Sequence, residues 1–316
     1  MSTCLCCGKA LRSVSSEKTG WHTSCVKKFF GTKDLPDIDI SEETLKQLAI
    51  DSTNKGFTVP GVQKKLSLHL TQEDTPRLTF VNYPTGYILK PQTEEYRALP
   101  ELEYLIMRMA VATGIKTVPF ALLRLSSQKN MLAYITKRID REFGQILAME
   151  DFCQLEYRLT EDKYRGSYER CGKIISKYSA NVGIDQSELF LRVIFSFAVG
   201  NSDMHLKNLS LIETHEGSGE YVLSAAYDLL SANVVMPSDS EQLALTLNGK
   251  RKNIRKKDFL TFAEVIGVPK VSAEKMIVHV VKLHAKYIEM CRNSWLPIDM
   301  KEDLERLIDQ RIDVMK

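Results

Sequence analysis

The sequence predicts an α+β fold of two lobes, strand-rich first and helical second, with a cleft between them. Three observations predict it. Short runs with period-two alternation crowd the chain before Asp140. Longer segments with helical spacing take over after it. The 316 residues are also more naturally two lobes than one small module. Hydrophobic residues at 44% and charged residues at 26% set aside a disordered or fibrous chain. Lysine plus arginine number 43 against 40 acidic residues, and a formal charge of +3 makes no global case for nucleic-acid binding. No apolar stretch reaches the roughly 20 residues of a membrane helix, and the start lacks the pattern of a signal peptide. A cytoplasmic protein is the expectation, with delivery into a host cell as the alternative.

Three segments follow in order: a Cys/His-rich start over 1–30, a strand-rich lobe over 31–140 and a helical lobe over 141–316. In the first, Cys4 and Cys7 form a C-x-x-C pair, and His22 and Cys25 an H-x-x-C pair. Two short pairs of soft ligands suit a tetrahedral zinc ion, with Gly8 helping the chain turn and Cys6 as a substitute ligand. The competing reading is ordinary free thiols. The remaining cysteines, Cys153, Cys171 and Cys291, are scattered, and an odd count argues against a disulfide framework.

The second segment begins with a short helix over Ser41–Ile50, then a loop. Leu66, Leu68 and Leu70 alternate with Ser67 and His69, as in a strand. Leu78, Phe80 and the run Tyr87 to Lys90 continue with short strands. A helix runs from Ala98 to its stop at Gly114. Two strands, "VPFALLRL" and "MLAYITKRI", are joined by a polar turn near Ser126–Asn130. In the third segment helices are expected over Phe143–Leu159, Tyr168–Tyr178 and Gln186–Val199, near Lys257–Val265, and over Ser272–Met290 and Met300–Val314. Two short strands interrupt them around Asn208–Glu213 and Glu220–Ser224.

The string "VGNSDMHLKNLSLI" packs Asn201, Asp203, His205, Lys207 and Asn208 between an apolar helix and an apolar strand. Beyond a hairpin comes "SAAYDLLS" with Asp228. Upstream lie Lys90 in "GYILKP" and a glycine-containing loop, "TVPGVQKK". These are the parts of a phosphoryl-transfer site: an aspartate for the acceptor hydroxyl, Asn and Asp as hard magnesium ligands, a lysine and a covering loop for phosphates. Their order matches the protein-kinase layout, without its usual G-x-G-x-x-G, H-R-D or D-F-G letters.

The chain resembles the HipA-like serine/threonine kinases of bacterial toxin–antitoxin systems from about Phe57 to its C-terminus. "VGNSDMHLKNLSL" resembles that family's catalytic loop, "YDLLS" its metal-binding segment, "TVPGVQKKLSL" its phosphate loop, "ITKRIDR" its hinge and "MEDFCQL" a helix start. The resemblance implies a HipA-type bilobal kinase fold, ATP and magnesium as cofactors, and one role per matched residue. Asp203 becomes the catalytic base, and Asn208 and Asp228 magnesium ligands. His205, Lys207 and Tyr227 become nucleotide or phosphate contacts, with a structural role as the alternative for His205. Lys90 becomes the phosphate lysine with Glu103 as its helix partner and Glu101 as rival. Pro60, Gly61, Val62, Gln63, Lys64 and Lys65 form the phosphate loop. Lys137 to Ile139 become the adenine hinge, although the family often has glutamate where Lys137 stands. Thr58 matches an autophosphorylated serine, with Ser52 and Thr53 as alternatives; Pro60 departs from the family's two-serine pattern.

The short region before the phosphate loop resembles HipT-type toxins. That implies a HipS-like small protein and a HipB-like DNA-binding antitoxin as partners. It also implies an aminoacyl-tRNA synthetase, tryptophanyl or glutamyl, as substrate and arrested translation as the outcome. A small-molecule kinase and a catalytically silent antitoxin-binding module remain the alternatives. The basic run from Lys250 through Arg251, Lys252, Arg255, Lys256 and Lys257 lacks interleaved aromatics and is read as a solvated turn before a helix.

Overall fold

Alternation around Leu66 becomes the second strand of a five-stranded antiparallel sheet in the computed structural model, which describes residues 3–37, 65–71, 76–79, 86–125, 131–142 and 145–316. The described residues fall into two compact units, Met1–Tyr104 with Val118–Gly144, and Leu105–Thr117 with Gln145–Lys316. No described helix is long and apolar enough to cross a membrane.

The first unit opens with two short helices, α1 (Val14–Thr19) and α2 (Thr23–Phe30), that the sequence reading did not foresee. Ser13 caps α1 through Ser16 N–H. Strands β1 (Leu66–Leu70), β2 (Leu78–Thr79), β3 (Tyr87–Pro91), β4 (Phe120–Arg124) and β5 (Leu132–Lys137) lie in the order β2-β1-β3-β5-β4. Leu68 of β1 is buried as its alternation requires, whereas β4 and β5, with Leu122 and Ile135, are buried on both faces over most of their length. Helix α3 (Leu99–Thr113) is inserted between β3 and β4, and it stops where Gly114 takes a φ of 91°. Strand β6 (Arg141–Glu142) follows β5. The helix expected at Ser41–Ile50, Phe80 and the turn at Ser126–Asn130 lie outside the described residues.

In the second unit, β7 (Gln145–Ile146) precedes β8 (Met149–Asp151), which pairs antiparallel with β9 (Ser210–Glu213) and, through it, with β10 (Tyr221–Leu223). This corrects the helix expected over Phe143–Leu159: within it, only α4 (Phe152–Leu155) is helical among the described residues. The reason is tertiary. Glu150 and Asp151 pair with Leu211 and Ser210, and Asp151 then caps α4 in a reciprocal box with Gln154.

Helices α5 (Tyr168–Tyr178) and α6 (Val182–Val199) follow, α6 starting four residues before the expected Gln186. From Leu189 onward α6 is hydrophobic and almost wholly buried, as a central helix must be. After α7 (Ala232–Val235) come α8 (Lys256–Val265), α9 (Lys270–Lys282), α10 (His284–Arg292) and α11 (Ile298–Met315). The single helix expected over Ser272–Met290 is thus two. Leu283, with ψ near −2°, breaks it, and both halves are tied to the end of α3. His279 Nε2 lies 3.0 Å from Thr113 O, and the Tyr287 and Thr113 hydroxyls are 2.6 Å apart.

The first three cations of the basic run have internal partners, while Arg255 and Lys257 are exposed. Lys250 Nζ reaches buried Asp258 at 2.7 Å, Arg251 reaches Glu241 at 3.1 Å and Lys252 reaches Ser240 at 2.5 Å. Burial alone would raise the Asp258 carboxyl. Hydrogen bonds from Lys250, Asn248 and the Arg255 N–H outweigh it and hold the group below the usual carboxylate range.

Candidate active site

Helix α6 ends on Gly200 at a φ of 70°, a conformation that opens the loop carrying Asp203. A Cβ there would come within 2.2 Å of Leu307 Cδ2, so no other residue fits without displacement. Asn201, fully buried, accepts the Asp203 N–H on Oδ1 at 3.1 Å. Asn208 closes the loop: its Nδ2 donates to Asp203 O at 2.9 Å. That bond fixes the amide orientation and leaves Oδ1, a hard oxygen ligand, as the atom Asn208 offers a cation. Asp228 stands beyond β10 at a φ of 59°, a conformation uncommon outside glycine that clusters at functional sites.

The sequence reading missed Tyr164, whose hydroxyl donates to Asp203 Oδ1. Burial, then the nearby charge of Asp203, pushes that hydroxyl above its ordinary range, with Asp239 and Asp228 adding to the effect. Tyr164 therefore keeps its proton and donates a hydrogen bond to Asp203 Oδ1. His205 is buried, packs edge-on to the Tyr164 ring at 5.0 Å and places Nε2 3.9 Å from Asp203 Oδ1. Tyr164 lies 39 residues before Asp203 in a polar stretch with no periodicity, so only spatial pairing discloses it.

Lys207 reaches Asp151 Oδ2 at 2.9 Å, the same carboxylate that caps α4. Tyr227 donates to Lys207 O at 3.0 Å and lies 2.5 Å from Ser210 Oγ. Behind the loop, Ser202 donates to Asp239 at 2.8 Å. Asn233 donates to Ser202, Asp239 O and Glu241 O, and accepts from Arg311 Nη2 at 3.2 Å. Arg311, stacked 4.9 Å over Phe197, is lowered to about 10 by burial.

In the first unit, Lys90 Nζ meets Glu103 Oε1 at 2.6 Å, with both side chains almost fully buried. Glu103, rather than Glu101, is therefore the partner; Glu101 is half-buried and partial burial raises its carboxyl. Tyr134 places its ring 5.4 Å from the Lys90 ammonium. Lys137 N–H goes to Pro119 O and Arg138 N–H to Gly86 O, so sheet bonds already use these two hinge donors; Ile139 sits in the turn beyond. Lys65 lies just before β1. Thr58, Ser52, Thr53 and the phosphate loop from Pro60 to Lys64 lie outside the described residues. The ligand atoms of Cys4, Cys7, His22 and Cys25 all lie within 4.8 Å of one another.

The sequence model of the HipA-like C-terminal domain matches residues 57–287. The chain belongs to this family. A Haemophilus influenzae protein named "Putative kinase" is 28% identical over 92% of this chain and 88% of its own length. Two Sinorhizobium fredii proteins, "Putative kinase Y4dM" and "Putative kinase Y4mE", are 32% and 28% identical over 55% and 73% of this chain; the matches span only 45% and 56% of their lengths. Among solved structures, HipA of Shewanella oneidensis, solved with HipB and operator DNA, superposes with a TM-score of 0.66 at 19% identity. It covers 82% of this chain and 64% of HipA. The Helicobacter pylori proinflammatory kinase CtkA gives 0.54 at 16% identity, over 82% of this chain and 92% of CtkA. These two likenesses establish the mixed α+β, kinase-like fold of this HipA-like chain.

Proposed function

We propose that this HipA-like protein is a cytoplasmic, ATP- and magnesium-dependent serine/threonine protein kinase acting as a toxin. The observation that carries the reading is the loop in which Asn208 is hydrogen-bonded across Asp203 while Tyr164 holds the Asp203 carboxylate. Asp203 takes the acceptor hydroxyl's proton on its carboxylate as that oxygen attacks. Asn208 Oδ1 and the Asp228 carboxylate are the ligands assigned to magnesium, and their donor chemistry fits a hard cation. The bound nucleotide supplies the phosphoryl group, with the metal offsetting phosphate charge. Lys90, held by Glu103, is assigned to phosphate oxygens. Lys207 and Tyr227 position the loop, and Lys207 is assigned to the charge that develops on the transferred group.

The HipA–HipB complex of the Shewanella neighbour supports a HipB-like DNA-binding partner. An aminoacyl-tRNA synthetase as substrate, a HipS-like small protein as a further partner and autophosphorylation at Thr58 rest on the family resemblance. The test is transfer of γ-labelled phosphate from ATP to a bacterial lysate, followed by identification of the labelled residue. Wild type labels serine or threonine of a protein. Asp203→Asn binds nucleotide and transfers nothing. Label on a small molecule, or wild-type transfer by Asp203→Asn, refutes the proposal.

A further inference from the structure

We propose that Cys4, Cys7, His22 and Cys25 hold one zinc ion, and that this ion fastens the N-terminal segment to the edge of the five-stranded sheet. The proposal does not rest on the kinase reading, because all four ligands and the strand they serve lie in the first unit. Cys7 Sγ lies 3.4 Å from His22 Nδ1, and Cys25 Sγ lies 3.9 Å from the same atom. A tetrahedral zinc with sulfur at about 2.3 Å and nitrogen at about 2.0 Å separates its ligand atoms by roughly 3.5 to 3.8 Å. The cluster is therefore already close to the size of a zinc shell.

The histidine is oriented for the task. Its Nε2 lies 3.2 Å from Ala10 O, which can only accept a hydrogen bond. The ring proton thus belongs on Nε2, where the Ala10 carbonyl holds it, and the Nδ1 lone pair faces the sulfurs, as in metal-bound histidines generally. Three sulfurs, one nitrogen and no carboxylate form a soft set that suits zinc and not magnesium or calcium. Binding releases one proton from each of the three thiols. Three thiolates, a neutral imidazole and Zn2+ then leave a net charge of −1.

The placement gives the ion its work. Strand β4 is the outer strand of the sheet, and its exposed backbone would otherwise invite pairing with another chain. Leu5, between two ligands, accepts the Leu122 N–H at 2.9 Å and donates its own N–H to Gly20 O at 2.9 Å. Trp21, next to His22, donates its indole N–H to Leu122 O at 3.2 Å. Both backbone groups of Leu122 are thus met by residues adjoining metal ligands. Trp21 also packs with Phe29 and Phe30, and Phe30 with Tyr87 of β3 at 5.4 Å. Helices of 6 and 8 residues do not hold themselves together in water, so a cross-link supplies what their length cannot.

Elemental analysis of the full chain, purified without chelators, tests this together with thiol counting. One zinc per chain is expected in wild type and in Cys6→Ser, and below about a tenth in the Cys7→Ser/Cys25→Ser double variant. Because that variant can fail to fold, wild type is also stripped with a chelator and refilled with Zn2+ or Co2+. Stripping should lower the melting temperature, and zinc should restore it and shield three thiols from reagent. Cobalt should give the visible spectrum of a tetrahedral thiolate site. Iron in place of zinc, no uptake by the stripped protein, or zinc retained in the double variant overturns the proposal.

Discussion

The Cys/His cluster and the Asp203 loop both gather polar side chains, but they are assembled in opposite ways. The cluster's four ligands fall between Cys4 and Cys25, in two short pairs on adjoining turns. The Asp203 loop is shaped from far away. Tyr164 reaches its carboxylate, Asp151 its lysine, Asn233 its Ser202, and Arg311 supports Asn233. A site made of neighbours in sequence should tolerate distant changes, whereas a site hung on remote hydrogen bonds should feel them.

Asp228→Ala tests the second site most severely. It should lower phosphoryl transfer on the order of a thousandfold and cost about 1 kcal/mol of folding stability, because alanine suits a φ of 59° less well than aspartate, measured by labelled transfer and thermal melting. Gly200→Ala should cost about 3 kcal/mol of stability, read from denaturant unfolding, because the new methyl meets Leu307 at 2.2 Å in a left-handed conformation. Zinc content should be unaffected. Tyr164→Phe removes one hydrogen bond to a charged group, worth about 1.5 kcal/mol, and should lower kcat roughly tenfold with KM for ATP nearly unchanged. The smallest effect sharpens the comparison from the other side. Trp21→Phe keeps the ring packing and loses the bond to Leu122 O; stability should fall by about 1 kcal/mol while the full zinc complement remains. Zinc loss in that variant would show that the cluster, too, is held from a distance.

Much of this architecture was legible in the letters. Period-two alternation located β1, short apolar runs on either side of a polar turn located β4 and β5, a further short run located β3, and glycine marked the end of α3. The crowding of Asn201, Asp203, His205, Lys207 and Asn208 after an apolar helix singled out the candidate site. The failures are equally specific. Residues 143–159 read as helix because local spacing cannot register that Glu150 and Asp151 will pair with Leu211 and Ser210. The helix over 272–290 was broken by contacts to Thr113, some 170 residues away. Tyr164 carried no signal at all.

By itself, the sequence determined the fold class, the two short Cys/His pairs of the cluster and the order of the residues assigned to phosphoryl transfer. Periodicity and short spacing are properties of neighbouring residues, and burial or a shared ion acts on them directly. Only the tertiary structure decided that Glu103 and not Glu101 meets Lys90, that Asp151 holds Lys207, and that Tyr164 governs the Asp203 carboxylate. Those pairings depend on side-chain direction and on distances across many residues. A buried charge or hydroxyl takes whichever partner the packing brings within about 3 Å, and no local pattern encodes that choice.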